Sequence, residues 1–145
     1  MIKVNIVCVG KIKESFYRQA VEEYAKRLSR FCAFNVVEIA ECKTLEEEGE
    51  RIARAAKGCK IALCIEGVKM DSPALAARIK ELCDKGEEIS FIIGSSEGLA
   101  DSVKSSASLK LSFSDMTFPH QLMRVILAEQ IYRAFMINCG SEYHK

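Results

Sequence analysis

Five short apolar runs alternate with segments of helical periodicity, and this alternation constrains the fold more than any other feature of the chain. The runs are rich in Ile and Val and too short for typical helices, as is usual for buried strands. Helices between consecutive strands favour an α/β domain with a mainly parallel sheet. The length of 145 residues suits one domain spanning residues 1–145. The predicted strands cover residues 2–9, 34–39, 60–65, 89–93 and 109–113.

Several predicted helix starts carry recognisable capping residues. Thr44 is followed three residues later by Glu47, which is the capping-box pattern. Asp71 precedes Pro73, and proline is favoured at the first helical position. Gly67 is expected to end the third strand before that helix.

The last long helix begins around Pro119, with Thr117 or Asp115 as its N-cap. Glu129 and Arg133 are four residues apart, so they are placed to pair on one face. The apolar residues of this helix exceed what one face needs, which predicts burial on two sides. The residues expected to point inward by helical spacing are Leu122, Val125, Ile126 and Met136.

Charge and cysteine content limit the possible environments and partners. The net charge is only +1, but residues 1–30 hold seven Lys or Arg against three acidic residues. That segment is the first candidate for RNA contact, although solvated surface charges would give the same pattern. Seven cysteines with no C-x-x-C pair favour neither a disulfide scaffold nor a zinc ribbon. No apolar run is long enough to span a membrane, so we expect a reducing cytoplasm.

Three loops follow the carboxyl ends of predicted strands, where α/β proteins bind ligands. They cover residues 66–71, 94–98 and 113–119. The glycines of the second loop, Gly94 and Gly98, permit close approach of a ligand, or simply make a turn. Their spacing matches neither the dinucleotide fingerprint nor a P-loop, and the chain has no G-x-S-x-G elbow of a hydrolase.

His120 and Arg124 lie four residues apart at the start of the last helix. His120 is a candidate base or substrate-positioning group, or else a capping residue. Arg124 could hold a phosphate or a base carbonyl with its planar guanidinium, or else form a structural ion pair.

These motifs together resemble the RlmH family, small SPOUT-class methyltransferases that act on large-subunit ribosomal RNA. The resemblance spans nearly the whole chain. It rests on the M-T-F-P-H segment at 116–120, Arg124, the E-Q-I-Y-R-A segment at 129–134, the glycine loop 91–99, Tyr143-His144, and the opening Val9-Gly10-Lys11. The chain departs from the family pattern at Ser95, where a second glycine is usual, and at Cys64, where an acidic residue is frequent.

The resemblance implies a SPOUT-type α/β knot, with a mainly parallel sheet of five to six strands and a C-terminal trefoil knot. It implies S-adenosylmethionine as the cofactor, with no metal requirement. The acceptor side would be formed by His120, Arg124, Tyr143 and His144, with the terminal tail closing over the active site of its own chain or of the partner subunit. The implied cofactor site consists of Leu63, Gly94, Phe113, Ser114, Asp115, Met116, Thr117 and Phe118.

The implied activity is methylation of N3 of a pseudouridine in 23S rRNA within the assembled ribosome, by a homodimer. Two other functions stay open from the residues: a tRNA methyltransferase, and a non-catalytic nucleotide-binding module that docks on ribosomes. Without the resemblance, core packing would explain Leu63, Met116 and Phe118, and terminal tails such as 143–145 are usually disordered.

Overall fold

The computed structural model describes residues 1–145 and contains one sheet of five strands. The strand order is β2-β1-β4-β3-β5, and every neighbouring pair is parallel. This confirms the predicted α/β class with a parallel sheet. The strands are β1 (Lys3–Val9), β2 (Ala33–Ile39), β3 (Cys59–Lys69), β4 (Ile89–Ile93) and β5 (Leu109–Ser112). The helices are α1 (Ser15–Leu28), α2 (Leu45–Ala55), α3 (Ser72–Asp84), α4 (Asp101–Ser106) and α5 (His120–Asn138).

Helices cover both faces of the sheet, which is why the central strands are mostly apolar. The larger buried cluster joins the sheet to α1, α3 and α5, and the smaller one joins it to α2 and α4. All five residues of β4 are buried. A strand covered on both faces shows no polar alternation, so β4 is apolar except for Ser90, whose Oγ accepts a hydrogen bond from Asn5 Nδ2 of β1 at 3.2 Å.

Two of the predicted caps are present. The Thr44 side chain accepts a hydrogen bond from the Glu47 backbone N–H at 3.1 Å. Asp71 accepts one from the Ala74 N–H at 2.9 Å, and α3 begins at Ser72, one residue before Pro73. Both side chains satisfy backbone donors that have no partner inside the helix.

The predicted cap of α5 is wrong. The helix begins at His120, Pro119 occupies the N-cap position, and no side chain bonds there. Thr117 and Asp115 lie too far upstream, and the Asp115 carboxylate pairs instead with Lys69 Nζ at 2.6 Å. The first turn of α5 is therefore left without a side-chain cap.

The prediction that Gly67 ends the third strand is also wrong, because β3 continues to Lys69. The pairing of β3 with β5 shifts register between Leu63 and Val68. A Cβ on Gly67 would lie 2.6 Å from the carbonyl carbon of Lys110. Glycine here allows close approach of two backbones where the strand bulges, rather than ending the strand.

The inward face of α5 differs from the one expected. The residues predicted to face the core, Leu122, Val125, Ile126 and Met136, are only partly buried. The helix leaves the edge strand β5 and packs against α1, α3 and the sheet, so apolar side chains are needed around most of it. The buried residues of α5 are instead Arg124, Leu127, Ala128, Ile131, Ala134 and Phe135.

The resemblance implies a trefoil knot where the chain passes from β5 to α5. None of the helices is both long and apolar enough to cross a membrane.

Candidate functional site

A cavity of about 260 Å³ lies at the carboxyl ends of β4 and β5, beside residues 63–66 of β3. Parallel strands bring their carboxyl ends to one edge of the sheet, so residues distant in sequence meet there. Half of the residues that line it are hydrophobic. Seven of the eight predicted cofactor residues line this cavity: Leu63, Gly94, Phe113, Ser114, Met116, Thr117 and Phe118.

The segment after β5 forms one wall of the cavity and is fixed by its own serines. Ser112 Oγ donates to the Ser114 carbonyl at 3.2 Å, and the Met116 N–H donates to Ser114 Oγ at 3.0 Å. Met116 is 73% exposed, so it is not a core residue. The eighth predicted residue, Asp115, does not line the cavity, because it turns outward to Lys69.

The glycine loop after β4 forms a second wall. The Gly98 N–H donates to the Ser95 carbonyl at 2.9 Å, and Gly98 has φ +86°, a conformation that favours glycine. A Cβ on Gly94 would lie 2.4 Å from the Gly98 carbonyl oxygen. This tight turn therefore requires glycine at position 94.

The third wall is the bulged middle part of β3, where Cys64 and Glu66 line the cavity. Glu66 pairs with Lys104 of α4, and 2.6 Å separates Oε1 from Nζ. This hydrogen bond lowers the pKa of Glu66, while burial and then the Glu66 charge raise the pKa of the Cys64 thiol. Cys64 is therefore a neutral thiol rather than a reactive thiolate at neutral pH. Nothing in the sequence couples Glu66 to Lys104, because residues so far apart meet only in the folded structure.

His120 lines the same cavity from the first turn of α5. Because no side chain caps this helix, the alternative in which His120 serves as its cap is not what the geometry favours. The loop between β1 and α1, which holds Lys11 and Lys13, also reaches the start of α5, because the Lys13 backbone N–H donates to Gln121 Oε1 at 3.0 Å. Lys11 and Lys13 are exposed beside the start of α5.

Arg124 lies behind the cavity and is completely buried. Its guanidinium bonds Glu38 at 2.9 Å and the carbonyls of Val9 and Gly10 at 3.0 and 2.7 Å. These contacts tie the ends of β1 and β2 to α5. The geometry thus favours the alternative interpretation of Arg124, a structural ion pair, over contact with a substrate phosphate.

The terminal tail folds back on α5. The Tyr143 hydroxyl donates to Glu129 at 2.8 Å, and Arg133 bonds Glu129 at 3.0 Å, as expected for the predicted pair. Arg133 Nη1 also lies 3.1 Å from His144 Nδ1. Burial and the bond to Glu129 raise the pKa of Tyr143 to about 12, so its hydroxyl stays protonated at neutral pH.

The tail does not meet His120 within one chain. Residues 129–133 follow His120 by nine to thirteen positions on α5, which is about 14–20 Å along a helix axis. His144 lines a different cavity, between the start of α3 and α5, together with Ser72 and Gln130. The four predicted acceptor-side residues therefore occupy three places in a single chain. No group of three His, Cys, Asp or Glu side chains is arranged to hold a metal ion.

Comparisons with known proteins agree on one group. A family model described as "Predicted SPOUT methyltransferase" matches residues 2–144. The protein named ribosomal RNA large subunit methyltransferase H from Bifidobacterium adolescentis is 48% identical, over 99% of this chain and 100% of the relative. The protein of the same name from Clostridium novyi is 46% identical with the same coverage.

Solved structures show the same fold at low sequence identity. A probable methylase family protein from Haemophilus influenzae matches with a TM-score of 0.59 and 10% identity, over 100% of this chain and 72% of that one. The SpoU methyltransferase AviRb from Streptomyces viridochromogenes, solved in complex with AdoMet, matches with a TM-score of 0.52 and 9% identity, over 97% of this chain and 59% of that one.

Proposed function

Since this chain belongs to the SPOUT methyltransferase family and to its RlmH group, we propose that it methylates N3 of a pseudouridine in 23S rRNA. The proposed methyl donor is S-adenosylmethionine, and the proposed substrate is the assembled ribosome. The observation that carries the proposal is the cavity at the sheet edge, which gathers the glycine loop, the segment 113–118 and His120. We place the protein in the cytoplasm, where ribosomes are.

The residues around the cavity fit the proposed cofactor. Adenine needs an apolar slot with backbone hydrogen bonds, and the walls combine apolar side chains with loop backbone. The close packing of Gly94 on Gly98 brings loop backbone to the cavity with no side chain between. Leu63, Gly94 and the segment 113–118 would hold the cofactor, which supplies a methyl group carried on a positively charged sulfur.

His120 is the residue placed to serve the acceptor. A ring N3–H is a weak acid, and its proton must leave as the N–C bond forms and the S–C bond breaks. His120 stands at the cavity wall and is the only histidine there, because His144 lines a different cavity. We therefore assign proton removal or base positioning to His120, and support of the site to Arg124.

The RNA is proposed to approach beside α5, where Lys11 and Lys13 are exposed. Phosphate contacts of this kind release counterions, so binding should weaken as salt rises. Tyr143 and His144 are proposed to close over the target base. Because the tail of one chain lies away from its own His120, this role places it at the site of the partner in a homodimer.

Transfer of a tritiated methyl group tests this function against the alternatives. The protein would be incubated with labelled S-adenosylmethionine and, separately, with ribosomes from cells that lack it, free rRNA, or tRNA. We expect label in the 23S rRNA of intact ribosomes. Label in tRNA would show that tRNA is the substrate instead of rRNA. Cofactor binding without any transfer would support a non-catalytic binding module.

A matched variant connects the activity to the cavity. Gly94→Val would push the glycine loop against the Gly98 carbonyl, so we expect calorimetry to show no cofactor binding while circular dichroism shows an intact fold. Ser105→Ala, on the exposed surface of α4, is the control and should bind normally. Normal affinity of Gly94→Val would exclude this loop from the cofactor site.

A further inference from the structure

One carboxylate lines the proposed cofactor cavity, that of Glu66. Among the predicted cofactor residues only Asp115 is acidic, and it faces Lys69 outside the cavity. The Glu66 side chain is 52% exposed, so it can be reached by a ligand. The cavity wall thus has a single anionic acceptor that no part of the proposed function has used.

The fold orients this carboxylate through α4. Glu66 lies in the stretch of β3 between Leu63 and Val68, where the pairing with β5 shifts register and the strand bulges. Its ion pair with Lys104 shows that the carboxylate projects toward α4. There Lys104 Nζ holds Glu66 Oε1 at 2.6 Å, and Lys104 also lines the cavity.

The paired charges select the kind of group that would bind beside them. A carboxylate accepts several hydrogen bonds, so Glu66 retains capacity after bonding one lysine. An ammonium group brought to Glu66 would also meet the positive charge of Lys104. A hydroxyl group avoids this conflict, because it donates to the carboxylate and accepts from the lysine.

We propose that Glu66, oriented by Lys104, binds the ribose hydroxyls of the methyl donor. This inference rests on the proposed function, because it concerns the same cofactor. A vicinal diol presents two donors to one carboxylate, which is how acidic residues bind ribose in dinucleotide folds. The Lys104 hydrogen bond also lowers the pKa of Glu66, so the acceptor stays ionised at neutral pH.

Calorimetry with three ligands tests the contact without any measurement of activity. The ligands are S-adenosylhomocysteine, its 2′-deoxy analogue, and 5′-methylthioadenosine, which keeps the ribose but lacks the amino-acid portion. The wild type should bind the deoxy analogue about tenfold or more weaker than the parent, as for loss of a bond to a charged group. Glu66→Ala should weaken S-adenosylhomocysteine and methylthioadenosine equally, and should no longer distinguish the deoxy analogue.

Two further variants complete the design. Lys104→Met leaves the carboxylate in place and should keep the preference for the ribose hydroxyl at reduced affinity. Glu81→Ala is the matched control, because Glu81 pairs with Lys85 on the surface of α3 and its side chain is 57% exposed. It should bind all three ligands as the wild type does.

The outcomes separate this inference from the proposed function. If the wild type binds S-adenosylhomocysteine and Glu66→Ala still discriminates the deoxy analogue, the ribose contact is refuted and the cofactor site stands. If Glu66→Ala loses affinity for S-adenosylhomocysteine but not for methylthioadenosine, Glu66 binds the amino-acid end, and the inference is also refuted. A wild type that binds none of the ligands overturns both proposals.

Discussion

His120 and Arg124 are one turn apart on α5 but meet very different surroundings. His120 lines the cavity, whereas Arg124 is fully buried behind it and bonded to Glu38, Val9 and Gly10. One residue is therefore open to ligands, and the other holds the strand ends against the helix. Substitution of His120 should therefore affect methyl transfer, whereas substitution of Arg124 should affect stability.

Replacement of His120 by Ala should reduce methyl transfer and leave cofactor affinity unchanged. A positioned base typically contributes about two to four powers of ten in rate. The loss should be greater at pH 6–7 than at high pH, where solvent base can take the ring proton. Single-turnover rates across this range, with calorimetry as the control, measure the effect. An equal loss of rate at every pH would show that His120 takes no part in proton transfer.

Replacement of Arg124 by Ala should act through stability. It removes the donor to the Val9 and Gly10 carbonyls and leaves the Glu38 carboxylate with only the Ile12 N–H, at a cost of about 2–4 kcal/mol in the free energy of unfolding. Arg51→Ala, on the exposed face of α2, should change it by less than about 0.5 kcal/mol. Urea unfolding measures both. Wild-type stability with lost methylation would instead restore a direct role for Arg124 toward RNA.

At the scale of elements, α5 carries His120 at its start and the docked tail along its length. Glu129, Arg133 and Tyr143 form a bonded set, and Tyr143 also packs edge-on against Tyr132 with 5.0 Å between ring centroids. The helix thus carries two parts of the proposed site that do not meet within one chain. A second chain is the means proposed here to bring them together.

Removal of residues 143–145 should reduce methylation of ribosomes at least about tenfold, because the target base loses positioning contacts. Cofactor affinity should stay the same, since the tail does not line the 260 Å³ cavity. Normal methylation by the truncated protein would show that the tail does not close over the target base.

A mixing experiment shows which subunit provides the tail. Tail-deleted chains and His120→Ala chains would be unfolded together and refolded. If the tail acts on the partner's site, each mixed dimer has one complete site, and about a quarter of wild-type activity should return. If the tail serves its own chain, mixing should restore nothing.

At the scale of the whole molecule, α5 has apolar surface that its own chain covers only in part. None of its residues from His120 to Asn138 is fully exposed, yet apolar side chains outside the buried stripe remain partly accessible. Covering such a surface with a second copy would stabilise the molecule and complete the proposed shared site.

Sedimentation equilibrium at micromolar protein should therefore give a mass near twice 16.2 kDa. Ile126→Glu, which places a charge on the partly accessible side of α5, should shift the mass toward the monomer and reduce methylation in parallel. A wild-type monomer with full activity would contradict the shared site.

Local patterns predicted most of the elements and the edge of the sheet where the cavity lies. Apolar runs located the strands, since a strand covered on both faces is mostly apolar, and Thr44 and Asp71 marked helix starts. The order of strands and helices placed three loops at one edge. The family motifs added which loop residues to expect there, and seven of eight line the cavity.

The tertiary structure alone decided the features that depend on distant partners. Helical spacing could not identify the buried face of α5, because α1, α3 and the sheet surround it with apolar contacts. Nor could helical spacing predict that Arg124 is buried, because its bonding partners belong to β1, the turn after β1, and β2. Glu66, in the bulged stretch of β3 between Leu63 and Val68, meets Lys104 because α4 packs beside this strand. A sequence records spacing along the chain, whereas packing determines which side chains meet.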